Sequence, residues 1–342
     1  MATFAGLDAD ATELQQRVER FHAVRESIAA QVREVIVGQE EVLEQVLIAL
    51  FVGGHCLMTG MPGTAKTLMV RTIAEALGLE FRRIQFTPDL MPSDVTGTDI
   101  IEEDMATGHR NWTFVRGPIF GNIILADEIN RTPPKTQAAM LEAMQERSCT
   151  VRGHVYALPA PFFVLATQNP IELEGTFPLP EAQLDRFIFN ATLEYLTADE
   201  EMKVLDLTTT TRSAVVQPVT SAEELLDFQQ LVRMVPIADS LARYVVNLVR
   251  ATRPKSEGAP EFVKKYVNYG GSVRAAQFIV LAAKARALTR KRYHVTYDDI
   301  MALATPVLRH RILLNFHAES ERIDTDEILR RLLAHMPPPR EG

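Results

Sequence analysis

The sequence has too little cysteine to be held together by disulfides. Its 342 residues contain two, Cys56 and Cys149, without metal-site spacing, which excludes a cross-linked scaffold and points to a reducing cytoplasm. A long apolar run is missing as well. The most hydrophobic window, 46-VLIALFVGG-54, falls well short of the roughly 20 residues a membrane span needs. The first residues show no basic stretch followed by an apolar one, so no signal peptide is expected. The eight histidines form no His-x-x-x-His or Cys/His spacing and no Gly-x-Ser-x-Gly elbow occurs, so zinc and serine hydrolases find no support. Positive charge is also in deficit. A net charge of −8 and a pI of about 5.6 argue against a general attraction to nucleic acid or anionic membrane.

What is present suits a soluble globular protein: 46% hydrophobic and 23% charged residues, at a length that favours two domains. Apolar positions at helical spacing (Leu14, Val18, Phe21, Val24, Ile28, Val32) predict an amphipathic helix over 11–35, and a second helix follows 36-IVGQE-40 to about Phe51. The short run 55-HCLMTG-60 reads as a strand that ends in a glycine loop, and 66-KTLMVRTIAEAL-77 as the next helix, closed by Gly78. Further strands are expected at 81-FRRIQF-86, 122-NIILAD-127 and 162-FFVLAT-167, with a helix over 134–146. This alternation implies a parallel sheet with right-handed crossovers. Two hairpins interrupt it, 101–115 turning near Thr107-Gly108 and 148–160 turning near Arg152-Gly153. Beyond about residue 196 the pattern turns to helices only, with hydroxyl caps and an acid three residues on at Thr197/Glu200, Ser221/Glu224 and Thr296/Asp299. The expected organisation is an N-terminal helical extension (1–27), an α/β core (28–195) and a helical lid (196–342).

Five stretches carry chemistry. The first, 60-GMPGTAKT-67, places Gly60 and Gly63 where backbone N–H groups can turn around phosphate oxygens. It adds Lys66 for the β/γ-phosphates and Thr67 as a hydroxyl ligand for Mg²⁺. Ala65 stands where the pattern has its last glycine, which is acceptable if that residue is already helical. The second, 123-IILADEIN-130, ends a strand in Asp127, suited to hold Mg²⁺ through water, and Glu128, suited to polarise an attacking water. The third, 164-VLATQNP-170, offers Asn169, whose amide can hold water or the γ-phosphate without adding charge, although Asn-Pro is also a plain turn signal. The fourth, 178-PLPEAQLDRFIF-189, sets Arg186 among apolar neighbours. There it either reaches a neighbouring subunit's γ-phosphate or pairs at home with Asp185 or Glu181. The fifth, 270-GGSVRAAQF-278, puts Arg274 in the first turn of a helix capped by Ser272, against the macrodipole, so it either meets an anion or points into solvent.

In this order the five stretches resemble the MoxR family of AAA+ ATPases, whose phosphate loop carries the same alanine before the lysine. The runs 127-DEINRTPPKTQAAMLEAMQE-146, 166-ATQNP-170 and 176-TFPLPEAQLDRF-187 extend the resemblance, which covers about residue 30 to the end. It implies the AAA+ P-loop NTPase fold, a parallel-sheet αβα core followed by an all-α lid. It further implies ATP and Mg²⁺ as cofactors, with Gly60, Pro62, Gly63, Thr64, Ala65, Lys66, Thr67 and Leu68 around the phosphates and Val37 and Gly38 flanking adenine. Glu128, Asn169, an arginine finger at Arg186 acting in trans and a lid arginine at Arg274 complete the implied site. Arg131 lies near it without an assigned role. The two hairpins match elements that line the pore of ring-shaped relatives. The resemblance implies a hexameric ring in the cytoplasm that remodels or activates protein clients, often ones with a von Willebrand factor A domain, including cofactor or metal insertion.

Two other readings stand beside this one. A nucleic-acid motor would rest on the basic run 284-KARALTRKRYH-294, which also reads as a solvated face or a subunit contact. A scaffold that binds nucleotide with negligible turnover is disfavoured by the presence of both Glu128 and Arg186. Asp298 and Asp299 read as helix N-terminal acids rather than a metal pair.

Overall fold

The computed structural model describes residues 4–339 apart from 62, 104–109, 171–174 and 211–213, with side chains from residue 12 onward. Two helices lead the chain, α1 (Phe4–Val35) and α2 (Glu40–Val52). An alternating stretch follows with β1 (His55–Gly60), α3 (Lys66–Leu77), β2 (Phe81–Gln85), α4 (Pro92–Thr96), β3 (Gly97–Glu103), β4 (Arg110–Arg116) and β5 (Ile123–Asp127). It continues through α5 (Pro134–Glu146), β6 (Ser148–Val151), β7 (His154–Ala157), β8 (Phe163–Gln168), α6 (Glu181–Leu184) and β9 (Phe187–Leu193). Then come α7 (Ala198–Thr208), α8 (Ala222–Met234), α9 (Asp239–Ala251), α10 (Glu261–Tyr266), β10 (Val267–Tyr269), α11 (Val273–Thr289), α12 (Tyr297–Leu308), β11 (Leu313–Leu314), α13 (Phe316–Ser320) and α14 (Thr325–His335).

Strands β2, β5, β8, β1 and β9 lie side by side in that order, all parallel. Their continuous apolar character follows from burial on both faces. Alternate residues serve opposite cores: Cys56 and Met58 face the helices α1 to α3, while Leu57 joins Met140, Leu141 and Met144 of α5. Strand β9 corrects the expectation of four strands. Phe187-Ile188-Phe189 reads as the tail of the preceding arginine motif, yet it forms a fifth strand paired to β1. The helices-only expectation for the C-terminal part also needs correction, because β10 and β11 form a short antiparallel ribbon there.

Both hairpins form. Strands β3 and β4 pair from Gly97↔Arg116 to Glu103↔Arg110, and the expected turn at Thr107-Gly108 lies outside the described residues. Strands β6 and β7 turn at Arg152 and Gly153, both with positive φ (47° and 84°), as a tight two-residue hairpin requires. The hairpins pack on each other: Phe114 stacks on Tyr156 at 4.0 Å, and Arg152 lies over Trp112 at 4.4 Å.

The lid shares its core with the first helices. Phe21 of α1, Phe51 of α2 and Phe228 of α8 form an aromatic trio with centroids 4.5–6.1 Å apart. The basic run divides between internal clamping and an exposed face that holds Arg290 and Lys291. Arg286 and Arg292 bond Asp299 at 2.9 and 2.6 Å, Arg290 reaches Glu44 at 3.3 Å, and Lys284 donates to the Arg233 carbonyl. Asp299 also accepts the Thr296 N–H at 2.9 Å, which makes it the helix-capping acid the sequence suggests. Arg311 fastens the lid to the sheet. Its side chain is 2% exposed, bonds Asp185 at 2.8 Å and donates to backbone carbonyls at the start of β9. Among the described residues no helix is long and apolar enough to cross a membrane.

Two predictions follow from this packing. Arg311→Ala removes a buried cation that bonds Asp185 and leaves the carbonyls of Phe187 and Ile188 without that donor, and should lower stability to denaturant by about 3–5 kcal/mol. His55 is buried, with Nε2 donating to the Met144 carbonyl (3.0 Å) and Nδ1 accepting the Val164 N–H (3.0 Å). Burial pushes its imidazole down to about 4. The folded state therefore takes up the proton less readily than the unfolded chain, and stability present above the ordinary histidine range is lost as pH falls towards 4. Between pH 7 and 5 the wild type should lose roughly 2 kcal/mol more than His55→Gln, read from urea unfolding.

Candidate nucleotide site

Parallel pairing sets the C-terminal ends of β1, β5 and β8 next to one another. Gly60, Asp127 and Gln168 close these strands, and Asn169, which is buried, follows Gln168. Glycine is needed at position 60 because the end of β9 lies against it: a Cβ there would sit 2.8 Å from Leu193 Cβ. The loop then runs through Gly63 (φ 82°) into α3, with Pro62 outside the described residues. Lys66 reaches back across it, its Nζ donating to the Gly60 carbonyl at 2.6 Å, while the Thr64 hydroxyl donates to the Met61 carbonyl at 2.8 Å.

Ala65 departs from the expectation of a helical residue. Its φ and ψ are 59° and 21°, the left-handed region, and it is the N-cap of α3. A residue at this position usually brings an oxygen that satisfies the N–H groups of the first turn. Alanine has none, and no side-chain cap is formed. The amides of Lys66, Thr67 and Leu68 have no partner within the helix, so the first turn of α3 presents donors and the positive end of a dipole to an anion.

The acids are held by a network that the sequence reading missed. Thr167 of β8 donates its hydroxyl to Asp127 Oδ1 (2.7 Å) and accepts the Glu128 N–H (2.8 Å), so one buried oxygen orients both residues. Asp127 Oδ2 accepts from Arg83 of β2 at 3.0 and 2.6 Å. Glu128 Oε2 accepts from Gln85 at 2.8 Å and from Arg131 at 3.0 Å, which gives Arg131 a place beside the acid. Glu128 itself has φ 56° and ψ 48°, a left-handed turn that swings its side chain off the strand. Burial pulls the Lys66 ammonium below the usual lysine range, while Asp127 and Glu128 draw it back up. Such a cation, half-buried beside two acids, suits a multiply charged phosphate. A signal for Arg83 and Gln85 was available: polar residues at alternate positions of a strand otherwise read as buried.

Thr67 and Asp127 offer hard oxygen donors of the kind Mg²⁺ takes. Among the described residues no cluster of three or more His, Cys, Asp or Glu is gathered. Val37 and Gly38 line an open cavity of about 410 Å³ with Ile36 and with Lys203, Asp206 and Leu207 of α7. A Cβ on Gly38 would meet Leu196 and Glu200 at 2.9 Å, so glycine keeps that edge open.

Arg186 and Arg274 are not brought to this chain's own loop. Strand β1 starts opposite Phe187 and ends opposite Leu193, so Arg186 stands at the far end of β1 from Gly60, roughly 17 Å away along the strand. There Arg186 donates to the Leu141 carbonyl of α5, and Asp185 is taken by Arg311 and by Arg274 (3.5 Å). Arg274 thus shares the edge of Arg186.

Comparisons with known proteins bear on the fold and the family. Residues 55–189 match the family model of the ATPase family associated with various cellular activities (AAA), and residues 261–332 match the AAA lid domain. A presumed ATPase of Cytophaga hutchinsonii, solved by crystallography, superposes with a TM-score of 0.89 at 40% identity, covering 97% of this chain and 99% of its own. The fold is therefore an AAA parallel-sheet core with a helical lid, a nucleotide-binding class. Within that class, the chain is 41% identical to Chaperone MoxR1 of Mycobacterium tuberculosis over 89% of its length and 79% of the relative's. It is 30% identical to Protein MoxR of Paracoccus denitrificans over 90% and 94%, and 42% identical to the uncharacterised YeaC of Bacillus subtilis over 92% and 95%. The chain belongs to the MoxR family of AAA+ ATPases.

The geometry of Ala65 reverses the stability expectation for its replacement. Alanine in the left-handed region costs about 1 kcal/mol that glycine does not. Ala65→Gly should keep nucleotide binding and raise stability by up to about 1 kcal/mol, measured by chemical denaturation. A loss on the helix-propensity scale would restore the helical reading of this residue.

Proposed function

We propose that this protein binds ATP with Mg²⁺ and hydrolyses it at sites shared between neighbouring copies in a ring. The observation that carries the reading is the separation of its charged groups. Lys66, Asp127 and Glu128 meet at one end of the sheet, and Arg186 and Arg274 stand at the other. A chain so built offers acids and loop on one side and cations on the opposite side, the arrangement a head-to-tail ring of six copies would use. Lys66 and the first amides of α3 hold the phosphates, Thr67 and Asp127 hold the metal, and Glu128 with Asn169 orients the attacking water. Val37 and Gly38 flank the base. Arg186, and Arg274 with it, stabilise charge on the neighbour's γ-phosphate. Held by Thr67 and Asp127, a bound Mg²⁺ would supply positive charge to offset the negative charge of the phosphates.

The likeness to a protein named Chaperone MoxR1 supports work on protein clients. The family resemblance makes von Willebrand factor A domains the leading client class and the cytoplasm the place of action. The pairing of Arg286 and Arg292 with Asp299, and of Arg290 with Glu44, weakens the support for a nucleic-acid motor.

A mixing experiment tests the shared site. Lys66→Ala and Arg186→Ala should each be inactive alone. Together they should regain activity, since about a quarter of interfaces in a random equal mixture join an intact loop to an intact finger. No recovery in rings shown to exchange subunits would refute the shared site. A Glu128→Gln variant should hold ATP without releasing phosphate and retain its client on a pulldown.

A further inference from the structure

Arg83 approaches the catalytic edge from solvent. It stands on β2 beside Leu125 of β5, two residues before Gln85, which pairs with Asp127 in register. Its Nε and Nη2 both donate to Asp127 Oδ2, and Nη2 also donates to Gln85 Oε1. The other carboxylate oxygen is taken by the Thr167 hydroxyl, so both oxygens of Asp127 have a donor. The two ends of the ion pair differ in freedom. The Asp127 side chain is 12% exposed and fixed at the sheet edge, whereas the Arg83 side chain is 48% exposed. Arg83 can leave the acid without disturbing either core.

We infer that Arg83 is a built-in competitor of the magnesium ion at Asp127. A guanidinium that makes two bonds to Oδ2 repels a divalent cation arriving there and uses the lone pairs that the ion, or the water it carries, would take, so the two compete. Metal entry therefore requires Arg83 to be displaced, and the fraction of molecules with Arg83 seated sets the metal concentration at which the site fills. The guanidinium also keeps the buried acid compensated until the ion arrives, which an unpaired carboxylate at that depth would not be. This inference rests on the reading of Asp127 as the metal-side acid.

The test uses the full chain and reads metal binding directly. Mn²⁺ is titrated by electron paramagnetic resonance with a non-hydrolysable ATP analogue present, and binding of the same analogue in EDTA is measured separately. Arg83→Gln should lower the half-saturating Mn²⁺ by roughly three- to ten-fold and leave metal-free nucleotide affinity within about two-fold. Thermal unfolding checks the fold. The variant should melt lower than wild type in EDTA and gain more from Mn²⁺ with nucleotide. An unchanged or higher half-saturating Mn²⁺ would overturn the inference, since Arg83 would then be positioning Asp127 for the metal. Asp127→Asn separates the two levels: if it binds Mn²⁺ as the wild type does, the assignment of Asp127 to the metal fails rather than the competition.

Discussion

Parallel pairing of β1, β5 and β8 is the constraint on which the site depends. An acid pair and a half-buried lysine would not gather unaided, because each loses hydration that the others only partly replace. Register forces them together. Leu57 lies opposite Ala166 and Ala126 opposite the same residue, so the strand ends arrive at one edge whatever their charges prefer. The hydrophobic faces that demand this register are buried on both sides, and a slip of one residue would exchange Cys56 and Met58 with Leu57 between two cores. The apolar interior thus holds a charged edge in place.

That edge is balanced rather than merely charged. Thr167 uses its one hydroxyl in both directions, and Arg83, Gln85 and Arg131 supply donors for the rest. The loop on β1 follows the opposite policy. Ala65 leaves the first amides of α3 without a side-chain cap, so the demand for an anion stays open where the acids are already satisfied. A ligand that is both anion and metal carrier answers the two conditions together.

Much of this was legible in the residues, because local spacing encodes it. The strand–loop–helix order around Lys66, the acids ending β5 and the capping acid Asp299 are each properties of a few consecutive residues. Three features were not, each for a physical reason. Ala65 has the sequence of a helix former but the conformation of a glycine, since the turn from β1 into α3 overrides propensity. Strand β9 was hidden because Phe187-Ile188-Phe189 owes its state to pairing with β1, more than 120 residues earlier in the chain. The partners of Asp185 and Asp127 come from Arg311 and Arg83, and no spacing rule links residues that distant in sequence.

The far edge shows how one carboxylate can serve two purposes. Asp185 holds Arg311, which is almost wholly buried and bonded to the Phe187 and Ile188 carbonyls of β9, and also Arg274, whose side chain is 41% exposed at 3.5 Å. Removing a buried partner costs several kcal/mol, whereas an exposed pair is worth about 1 kcal/mol or less. Arg311 is therefore the fixed anchor of the lid and Arg274 the arginine free to change partner. A neighbour's phosphate, with more charge than Asp185 can offer once Arg311 has claimed it, would draw Arg274 away and leave the lid seated. The difference in burial between two arginines on one acid decides which of them is structural and which is free to change partner.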